Sequence, residues 1–143
     1  MRCRALEAAG VTLLANQAVV RGPLVIAGVD DAYSRHARTA ETLAAARRLA
    51  GARLVLTHSP DIAPLLPADF GPLLAGHTHC GQVLVPFYGS LDPVPRYLVR
   101  YRCGIVREGG RTVIVGAGIG GSLPLRLNAP PDLWLVTLVP AKR

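Results

Sequence analysis

Residues 24–58 have the sequence LVIAGVDDAYSRHARTAETLAAARRLAGARLVLTH. The two ends are apolar runs, Leu24–Val29 and Arg53–Thr57, and turn-forming residues bound each run, which is typical of buried strands. Between them, residues 37–50 are rich in Ala, Leu, Glu and Arg, and this composition predicts a helix that ends at Gly51. A strand, a helix and a second strand in this order predict a βαβ unit and therefore an α/β fold.

Shorter predicted elements flank this unit. Upstream, residues 1–9 are predicted to form a helix that ends at Gly10 and leads into a strand over Val11–Ala15. We expect Thr39 or Ser34 to cap the central helix. Downstream, the pattern predicts a mostly β region. Its elements are one helical turn over Asp61–Leu66, strands over Pro72–Ala75 and Val83–Val85, a loop over residues 86–95, a hairpin of Cys103–Arg107 and Arg111–Val115 around Glu108-Gly109-Gly110, and a last strand, Leu133–Val139, with Trp134 and Leu135 in the core.

The composition predicts one small domain with an aliphatic core. The chain has 143 residues, of which 50% are hydrophobic and only 5% aromatic. No apolar stretch reaches the ~18 residues of a membrane-spanning helix, and we find no signal peptide. The three cysteines, Cys3, Cys80 and Cys103, are widely spaced, so we expect no disulfide framework and a reducing compartment. The predicted location is therefore cytoplasmic or peripheral to a membrane.

The net charge of +7 does not indicate a nucleic-acid-binding protein. All but one of the 16 basic residues are arginine, Lys142 being the exception. The arginines are scattered along the chain, whereas a nucleic-acid site needs a basic stripe or patch with aromatic partners for stacking. We therefore expect no nucleic-acid partner.

A glycine-rich stretch, residues 116–121, matches the GxGxxG pattern of dinucleotide-binding sites. That site requires a helix after the glycines and a further strand with an acidic residue about 20 positions on. Pro124 follows closely and disfavours a helix, and too little chain follows for the rest of the unit. The stretch is predicted to be a turn in which the backbone passes close to another part of the chain or to an anionic ligand.

Three of the four histidines follow short apolar strands. His58 comes after the strand Arg53–Thr57, and His77 and His79 come after Pro72–Ala75. Ligands of α/β sheets collect at the carboxyl ends of strands, and neutral imidazole binds Zn, Mn, Fe or Ni ions. Spacing of two residues in an extended segment would place the rings of His77 and His79 on one side. The pattern favours a metal site, with polar surface histidines as the alternative.

The segment Gly76-His77-Thr78-His79-Cys80-Gly81-Gln82 resembles the GHTHGGQ signature of calcineurin-like metallophosphoesterases, with Cys80 in place of a usual Gly. Thr57-His58-Ser59-Pro60-Asp61 is similar to the preceding histidine motif of one bacterial phosphodiesterase branch. Residues 28–31, 118–126 and 130–132 also resemble that branch, so the likeness extends over essentially the whole chain, residues 1–143. The branch includes phosphodiesterases that act on a nucleoside-diphosphate-lipid intermediate.

The resemblance implies the C-terminal half of an αββα sandwich and a hydrolase that cleaves a phosphodiester or pyrophosphate bond. It implies two divalent metals, Mn, Zn, Fe or Ni, in a complete site, with His58 and His77 on one metal and His79 on the other. The substrate would be a small or lipid-linked phosphoester. Arg126, which follows the glycine-rich turn, is a candidate for binding a substrate phosphate, with a surface arginine as the alternative.

The motifs of the family's first half, DxH, GDxxD and GNH followed by Asp or Glu, do not occur in this sequence. We therefore assign no catalytic residue and expect one metal or none in this chain alone. A complementing N-terminal half or an oligomer is the expected partner, and the strands Leu24–Val29 and Arg53–Thr57 are expected to expose an apolar face. The alternative is a degenerate, non-catalytic domain for metal binding or interaction.

Three other side chains near these motifs have predicted roles. Cys80 is interpreted as a small filler, or alternatively as a thiolate near a metal. Gln82 is expected to brace its loop through its amide, and His36 to lie on the surface.

Overall fold

The computed structural model describes residues 2–91, 99–121 and 124–139. The elements that lie wholly within those ranges include two α-helices, α1 and α2, two 3₁₀ helices and eight strands, β1 to β8, and residues 99–100 are also helical. In chain order these are α1 (Arg2–Ala8), β1 (Gln17–Arg21), β2 (Leu24–Gly28), α2 (Thr39–Arg47), β3 (Ala52–Leu56), a 3₁₀ helix (Pro60–Leu65), β4 (Leu73–Ala75), a second 3₁₀ helix (His79–Gly81), β5 (Leu84–Val85), β6 (Gly89–Ser90), β7 (Gly104–Glu108) and β8 (Arg111–Val115).

Six of these strands form one mixed sheet in the order β1-β2-β3-β4-β8-β7. The central pairs β2–β3, β3–β4 and β4–β8 are parallel, whereas the outer pairs β1–β2 and β7–β8 are antiparallel. The strands β5 and β6 form a separate small hairpin. The α/β prediction is thus confirmed, because β2, α2 and β3 form the expected βαβ unit and a mostly β region follows it.

One face of the sheet carries the main core. Successive side chains of a strand point to opposite faces, and Val25, Ala27 and Val55 on one face are fully buried. The helix α2 and the 3₁₀ helix Pro60–Leu65 pack on this face. The buried members of this cluster are Val25, Ala27, Val29, Leu43, Ala46, Val55, Ile62, Ala63, Leu66, Phe70, Leu73, Tyr101, Val113 and Val115.

The opposite face of the sheet is apolar but incompletely covered. Register pairs Ile26 with Leu54 and, further across the sheet, Leu56 with Leu74. All four of these side chains are only half-buried, and Ile105 at the far edge is 43% exposed. The expected apolar face is therefore present, and we refer to Ile26, Leu54, Leu56, Leu74 and Ile105 as the open face.

The glycine Gly71 allows the chain to approach β3 closely. A β-carbon at this position would lie 1.8 Å from the carbonyl oxygen of Arg53. The next residue, Pro72, accepts a hydrogen bond from the N–H of Val55 through its carbonyl at 3.0 Å. Only glycine permits this contact, which brings β4 into register beside β3.

Two strand predictions are wrong. The run Val11–Ala15 has no strand structure, because Leu14 packs against Gly28 and the pairing with β2 is made by Gln17–Arg21. The run Leu133–Val139 also forms no strand, since its residues line grooves beside Leu74, Ile114 and Leu24 on the open face and do not join a sheet edge. Trp134 and Leu135 are consequently 44% and 96% exposed and do not lie in the core.

Two smaller predictions also need correction. No side chain caps α2: its N-cap residue is Arg38, and the hydroxyl of Ser34 lies 2.9 Å from the Nδ1 atom of His36. The predicted loop 86–95 contains the strand Gly89–Ser90, and its residues 92–95 lie outside the described ranges.

No helix in the part of the chain that the structure describes combines the length and apolar character that a membrane crossing requires. The predicted location itself stays a prediction.

Candidate metal centre

The histidines His58 and His77 meet at the carboxyl edge of the sheet. They follow the adjacent parallel strands β3 and β4, so the topology places both loops at the same edge. The Nδ1 atom of His77 lies 3.1 Å from the Nε2 atom of His58, and the ring centroids are 4.9 Å apart. Two of the three predicted ligands are therefore in contact.

The ring of His77 is half-buried and lies against Tyr33, with 4.6 Å between the ring centroids. Burial lowers the pKa of His77 below its usual value of 6.5, and the neighbouring His58 lowers it further, whereas Asp31 and Asp61 oppose the change. The net effect on the pKa is downward, which favours the neutral imidazole of His77. A neutral ring has a free lone pair, which is the form that binds metal ions.

The carboxylate of Asp31 organises the loop after β2. It accepts hydrogen bonds from the backbone N–H groups of Tyr33 at 3.1 Å and Ser34 at 3.0 Å. Burial alone would raise the pKa of Asp31, but the hydrogen bonds from Ser34 and Tyr33 and the charge of His58 outweigh it, so the pKa lies below 3.8. An ionised carboxylate thus stays beside the histidine pair at neutral pH.

Residues near His58 in sequence carry buried oxygen atoms without hydrogen-bond partners. Within the described residues, the hydroxyls of Thr57 and Ser59 and one carboxylate oxygen of Asp61 are buried and accept or donate no hydrogen bond. Buried polar groups are normally satisfied by protein, water or an ion. A groove of about 340 Å³ adjoins this segment and is lined by His58, Asp30 and Asp31 among others.

His79 does not join the pair. The segment from His77 to Gln82 is a tight turn that includes the 3₁₀ helix His79–Gly81, so the expected extended geometry is wrong. The Nδ1 atom of His79 lies 3.0 Å from the carbonyl oxygen of Ala117, which makes the ring nitrogen a donor. Within residues 2–91, 99–121 and 124–139, no group of three or more His, Cys, Asp or Glu side chains is close enough to hold a metal ion.

A disulfide joins Cys80 to Cys103, with the Cα atoms 4.7 Å apart. One disulfide is thus present where no disulfide framework was expected, and the interpretations of Cys80 as a filler or as a thiolate are wrong. The fold brings the turn over residues 77–82 against the segment before β7, where the hydroxyl of Thr78 donates to the carbonyl of Arg102 at 2.7 Å. The sequence did not indicate this contact, because its three cysteines are widely spaced and include no CxxC pair.

The guanidinium group of Arg126 binds backbone carbonyl groups of the glycine-rich turn. Its Nη2 atom lies 2.6 Å from the carbonyl oxygen of Gly120 and 3.0 Å from that of Ala117, and its Nη1 atom lies 3.2 Å from that of Ala129. The predicted phosphate-binding role of Arg126 stays a prediction. No helix follows the glycines within the described residues, in agreement with the rejection of a dinucleotide site.

Two further polar side chains hold loops near the site. The amide of Gln82 donates to the carbonyl of Leu125 at 3.1 Å, as expected for a bracing residue. The side-chain oxygen of Asn16 accepts the N–H groups of Asp30 and Arg38, a role that sequence analysis missed because these residues are far apart in the chain. His36 is exposed, as predicted.

Three curated relatives of this chain are named as a phosphodiesterase or as metallophosphoesterases. The chain is 33% identical to phosphodiesterase YaeI of Escherichia coli K12 over 142 residues, which cover 94% of this chain and 50% of that protein. It is 32% identical to an uncharacterized metallophosphoesterase of Aquifex aeolicus over 141 residues, or 93% of this chain and 52% of that protein. The chain resembles the C-terminal half of metallophosphoesterases.

A shorter match agrees with this resemblance. The chain is 39% identical to the uncharacterized metallophosphoesterase YkuE of Bacillus subtilis 168 over 89 residues, which cover 59% of this chain and 30% of that protein. The chain spans about half the length of the curated metallophosphoesterase relatives that it matches over most of its own length, consistent with the C-terminal half of such a protein. No family model and no solved structure matches the chain.

Proposed function

We propose that this chain carries one portion of a metal-dependent phosphoesterase site, in which His58 and His77 together hold a divalent cation. The observation that carries the proposal is the 3.1 Å separation of their facing nitrogens. Two imidazole nitrogens that bind one ion at about 2.1 Å, with an angle of roughly 95–110° between them, lie roughly 3.1–3.4 Å apart. The separation therefore matches that of two ligands of a single ion, which would replace the hydrogen-bonded proton that now lies between the two nitrogens.

The surroundings of the pair support the same proposal. The burial that keeps His77 neutral also keeps its lone pair available, and the carboxylate of Asp31 adds negative charge nearby. The unsatisfied buried oxygens of Thr57, Ser59 and Asp61 are consistent with an additional polar species beside His58. Mn, Zn, Fe and Ni all accept imidazole, so the donor set does not select among them.

His79 is proposed as a ligand in a complete site. Its Nδ1 atom is committed to the carbonyl of Ala117, which leaves the lone pair on Nε2. Histidines that bind metals usually donate their other ring N–H to a backbone carbonyl or a carboxylate, and this fixes the ring's tautomer and orientation. The contact with Ala117 is the arrangement that such a ligand needs.

The proposed reaction is hydrolysis of a phosphodiester or pyrophosphate bond in a small or lipid-linked substrate. Bound divalent metals supply a hydroxide nucleophile at neutral pH and stabilise charge on the phosphoryl oxygens. Among this chain's own residues, Asp31 and His58 line the groove of about 340 Å³ in which a substrate group would lie. The role proposed for Arg126 is to bind a phosphate oxygen next to the glycine-rich turn.

The proposed partner is a polypeptide that supplies the remaining ligands, either the other half of such an enzyme or a second copy of this chain. Two histidines do not saturate a divalent ion, which has at least four ligands in zinc sites and more in others. The open face offers apolar surface for such a partner, and the family relatives matched over most of this chain are about twice as long as the matched region.

Elemental analysis after loading with Zn²⁺ or Mn²⁺ tests the metal site. The wild-type chain is expected to retain metal through dialysis, His77→Ala and His58→Ala are expected to lose it, and the exposed His36→Ala is the matched control. Metal retention by His77→Ala equal to that of the control would refute the proposed ligand pair.

A non-catalytic metal-binding domain is the second candidate, because only two of the three predicted ligands meet. Hydrolysis of bis(p-nitrophenyl) phosphate by the metal-loaded chain separates the two candidates. Hydrolysis that disappears in His77→Ala supports the phosphoesterase, whereas metal binding without hydrolysis, alone or with a complementing half, supports the second candidate.

A further inference from the structure

The disulfide Cys80–Cys103 lies one residue from a proposed metal ligand. Cys80 follows His79 directly and is only 6% exposed, whereas Cys103 at the start of β7 is exposed. The bridge thus ties the turn that carries His77 and His79 to an element that belongs to neither β3 nor β4.

The backbone of this turn has an unusual conformation. The φ angles of His77, His79, Cys80 and Gln82 are 68°, 47°, 56° and 41°, all in the left-handed region. Residues with a β-carbon adopt this region at a cost, and such conformations persist only where the surrounding structure enforces them. At Cys80 the favoured residue would be glycine.

Several contacts hold the turn in this conformation, among them those of His79 with Ala117 and of Gln82 with Leu125 described above. The hydroxyl of Thr78 donates to Arg102, and the hydroxyl of Ser90 donates to the carbonyl of Gly81 at 3.0 Å. The disulfide is the covalent contact among them, and it acts at the left-handed residue Cys80 itself. Opening it would leave only hydrogen bonds to oppose four unfavourable backbone conformations.

We propose that Cys80–Cys103 is a thiol–disulfide exchange site whose closed form positions His77 and His79. The co-substrate is a dithiol reductant. Its thiolate attacks the exposed Cys103 sulfur, Cys80 leaves as a thiolate that takes up a proton, and the reductant's second thiolate releases Cys103. Two electrons and two protons pass to the protein, and the reductant becomes a disulfide.

Access determines which sulfur is attacked. Exchange requires the attacking thiolate to reach a sulfur in line with the bond that breaks, and Cys103 is the exposed residue of the pair, whereas Cys80 is buried. Opening the bond releases the turn, so its left-handed residues relax and the two histidines lose their fixed positions. The effect on metal binding rests on the function proposed above, whereas the release of the turn does not.

Hydrogen exchange in the absence of metal tests the release of the turn. We compare oxidised and dithiothreitol-reduced chain, and expect the amides of residues 77–83 to exchange faster after reduction while those of β2 and β3 keep their protection. Unchanged exchange over residues 77–83 would overturn the proposal. Loss of protection throughout β2 and β3 would also overturn it, since the bridge would then stabilise the whole fold and not one turn.

Two variants separate the covalent link from the backbone conformation. Cys103→Ser removes the bridge and keeps a β-carbon at the left-handed Cys80, so it should behave like the reduced chain. Cys80→Gly also removes the bridge but suits the left-handed conformation, so its turn should remain closer to the oxidised form. Equal exchange rates in the two variants would overturn the argument. Cys3→Ser, which leaves the bridge intact, is the control.

Zn²⁺ affinity is the second measurement, and it tests whether the disulfide positions the histidines. Reduction, or Cys103→Ser, is expected to weaken binding by about 10- to 100-fold, the range seen when residues that orient a metal ligand are lost. Cys80→Gly should lose less Zn²⁺ affinity than Cys103→Ser. Dithiothreitol should not weaken Zn²⁺ binding further in either variant, because neither has the bridge. An oxidised wild-type chain that binds no Zn²⁺ would refute the proposed metal site, and the exchange experiment would still decide on the turn.

Discussion

The Nη2 atom of Arg126 lies within hydrogen-bonding distance of the carbonyl oxygens of Ala117, Gly118 and Gly120. One guanidinium group therefore closes the glycine-rich turn against the segment that follows it. These carbonyls have no regular strand or helix partner, and a charged donor satisfies several of them at once.

Arg126→Ala should lower the free energy of unfolding by about 2–3 kcal/mol, because the hydrogen bonds between a charged group and several backbone carbonyls are lost. Arg126→Lys should retain only part of the stability that Arg126→Ala loses, since an ammonium group lacks the planar set of donors of a guanidinium group. Urea denaturation measures both. The exposed Arg107→Ala is the control, and equal losses for Arg107→Ala and Arg126→Ala would show that the contacts do not stabilise the fold.

Gly71→Ala should be among the most destabilising single-methyl additions. The new β-carbon would lie 1.8 Å from the carbonyl oxygen of Arg53, so β3 and β4 would have to separate. We expect a loss of about 3 kcal/mol or more in thermal or urea unfolding. Gly120→Ala adds the same methyl where nothing lies within 4 Å and should change stability by less than about 0.5 kcal/mol.

The carboxylate of Glu108 should make the chain sensitive to acid. The hydroxyl of Tyr101 donates to it and lowers its pKa below 4.5, and Arg100 and Arg111 lower it further against the opposing effect of burial. A lowered pKa in the folded chain means that the stabilisation is fully present above pH ~4.5 and is lost as the pH falls through the folded value.

Urea unfolding between pH 7 and pH 3 measures this dependence. Glu108→Gln should be less stable at pH 7 and should show a flatter profile below pH 4.5 than the wild type. Glu41→Gln, whose side chain is 75% exposed, should leave the profile unchanged. A wild-type profile that does not fall below pH 4.5 would contradict the prediction.

The open face should cause self-association. Half-buried aliphatic side chains in a continuous patch favour burial against a second surface. Sedimentation velocity over a concentration series should show reversible oligomers of the wild type, and Ile105→Glu should shift the distribution toward monomer. Val20→Glu is the control. It adds the same charge at a residue of similar exposure that lies outside the open face, because its strand partner Val25 lies on the core face. A wild-type chain that stays monomeric throughout would rule out this role of the face.

Local patterns predicted much of the fold. The apolar runs of β2 and β3 and the Ala-rich α2 have strong intrinsic preferences, and the Gly109-Gly110 turn signals the β7–β8 hairpin. The strand β1 was missed because the sequence Gln17–Arg21 is only partly apolar, so its strand state depends on pairing with β2. The apolar segment Leu133–Val139 failed for the opposite reason: it has strand propensity but no sheet edge beside it in the described structure.

Sequence analysis could predict which residues of the candidate site lie close together only where the sheet topology alone brings them together. Parallel neighbouring strands bring their carboxyl ends together, and this was enough to join His58 and His77. The position of His79 depends on the turn conformation and on Cys103, which is 23 residues from Cys80. No local pattern encodes that approach, since it arises from packing across the sheet.

The sheet order also sets a route for folding. The hairpins β1–β2 and β7–β8 pair residues close in sequence and form quickly, whereas β4 and β8 pair across the long segment between Ala75 and Arg111. Closing that segment costs chain entropy that grows with its length. The link between Cys80 and Cys103 lies inside this segment and shortens the effective loop, so we expect the oxidised chain to assemble the centre of its sheet faster than the reduced one.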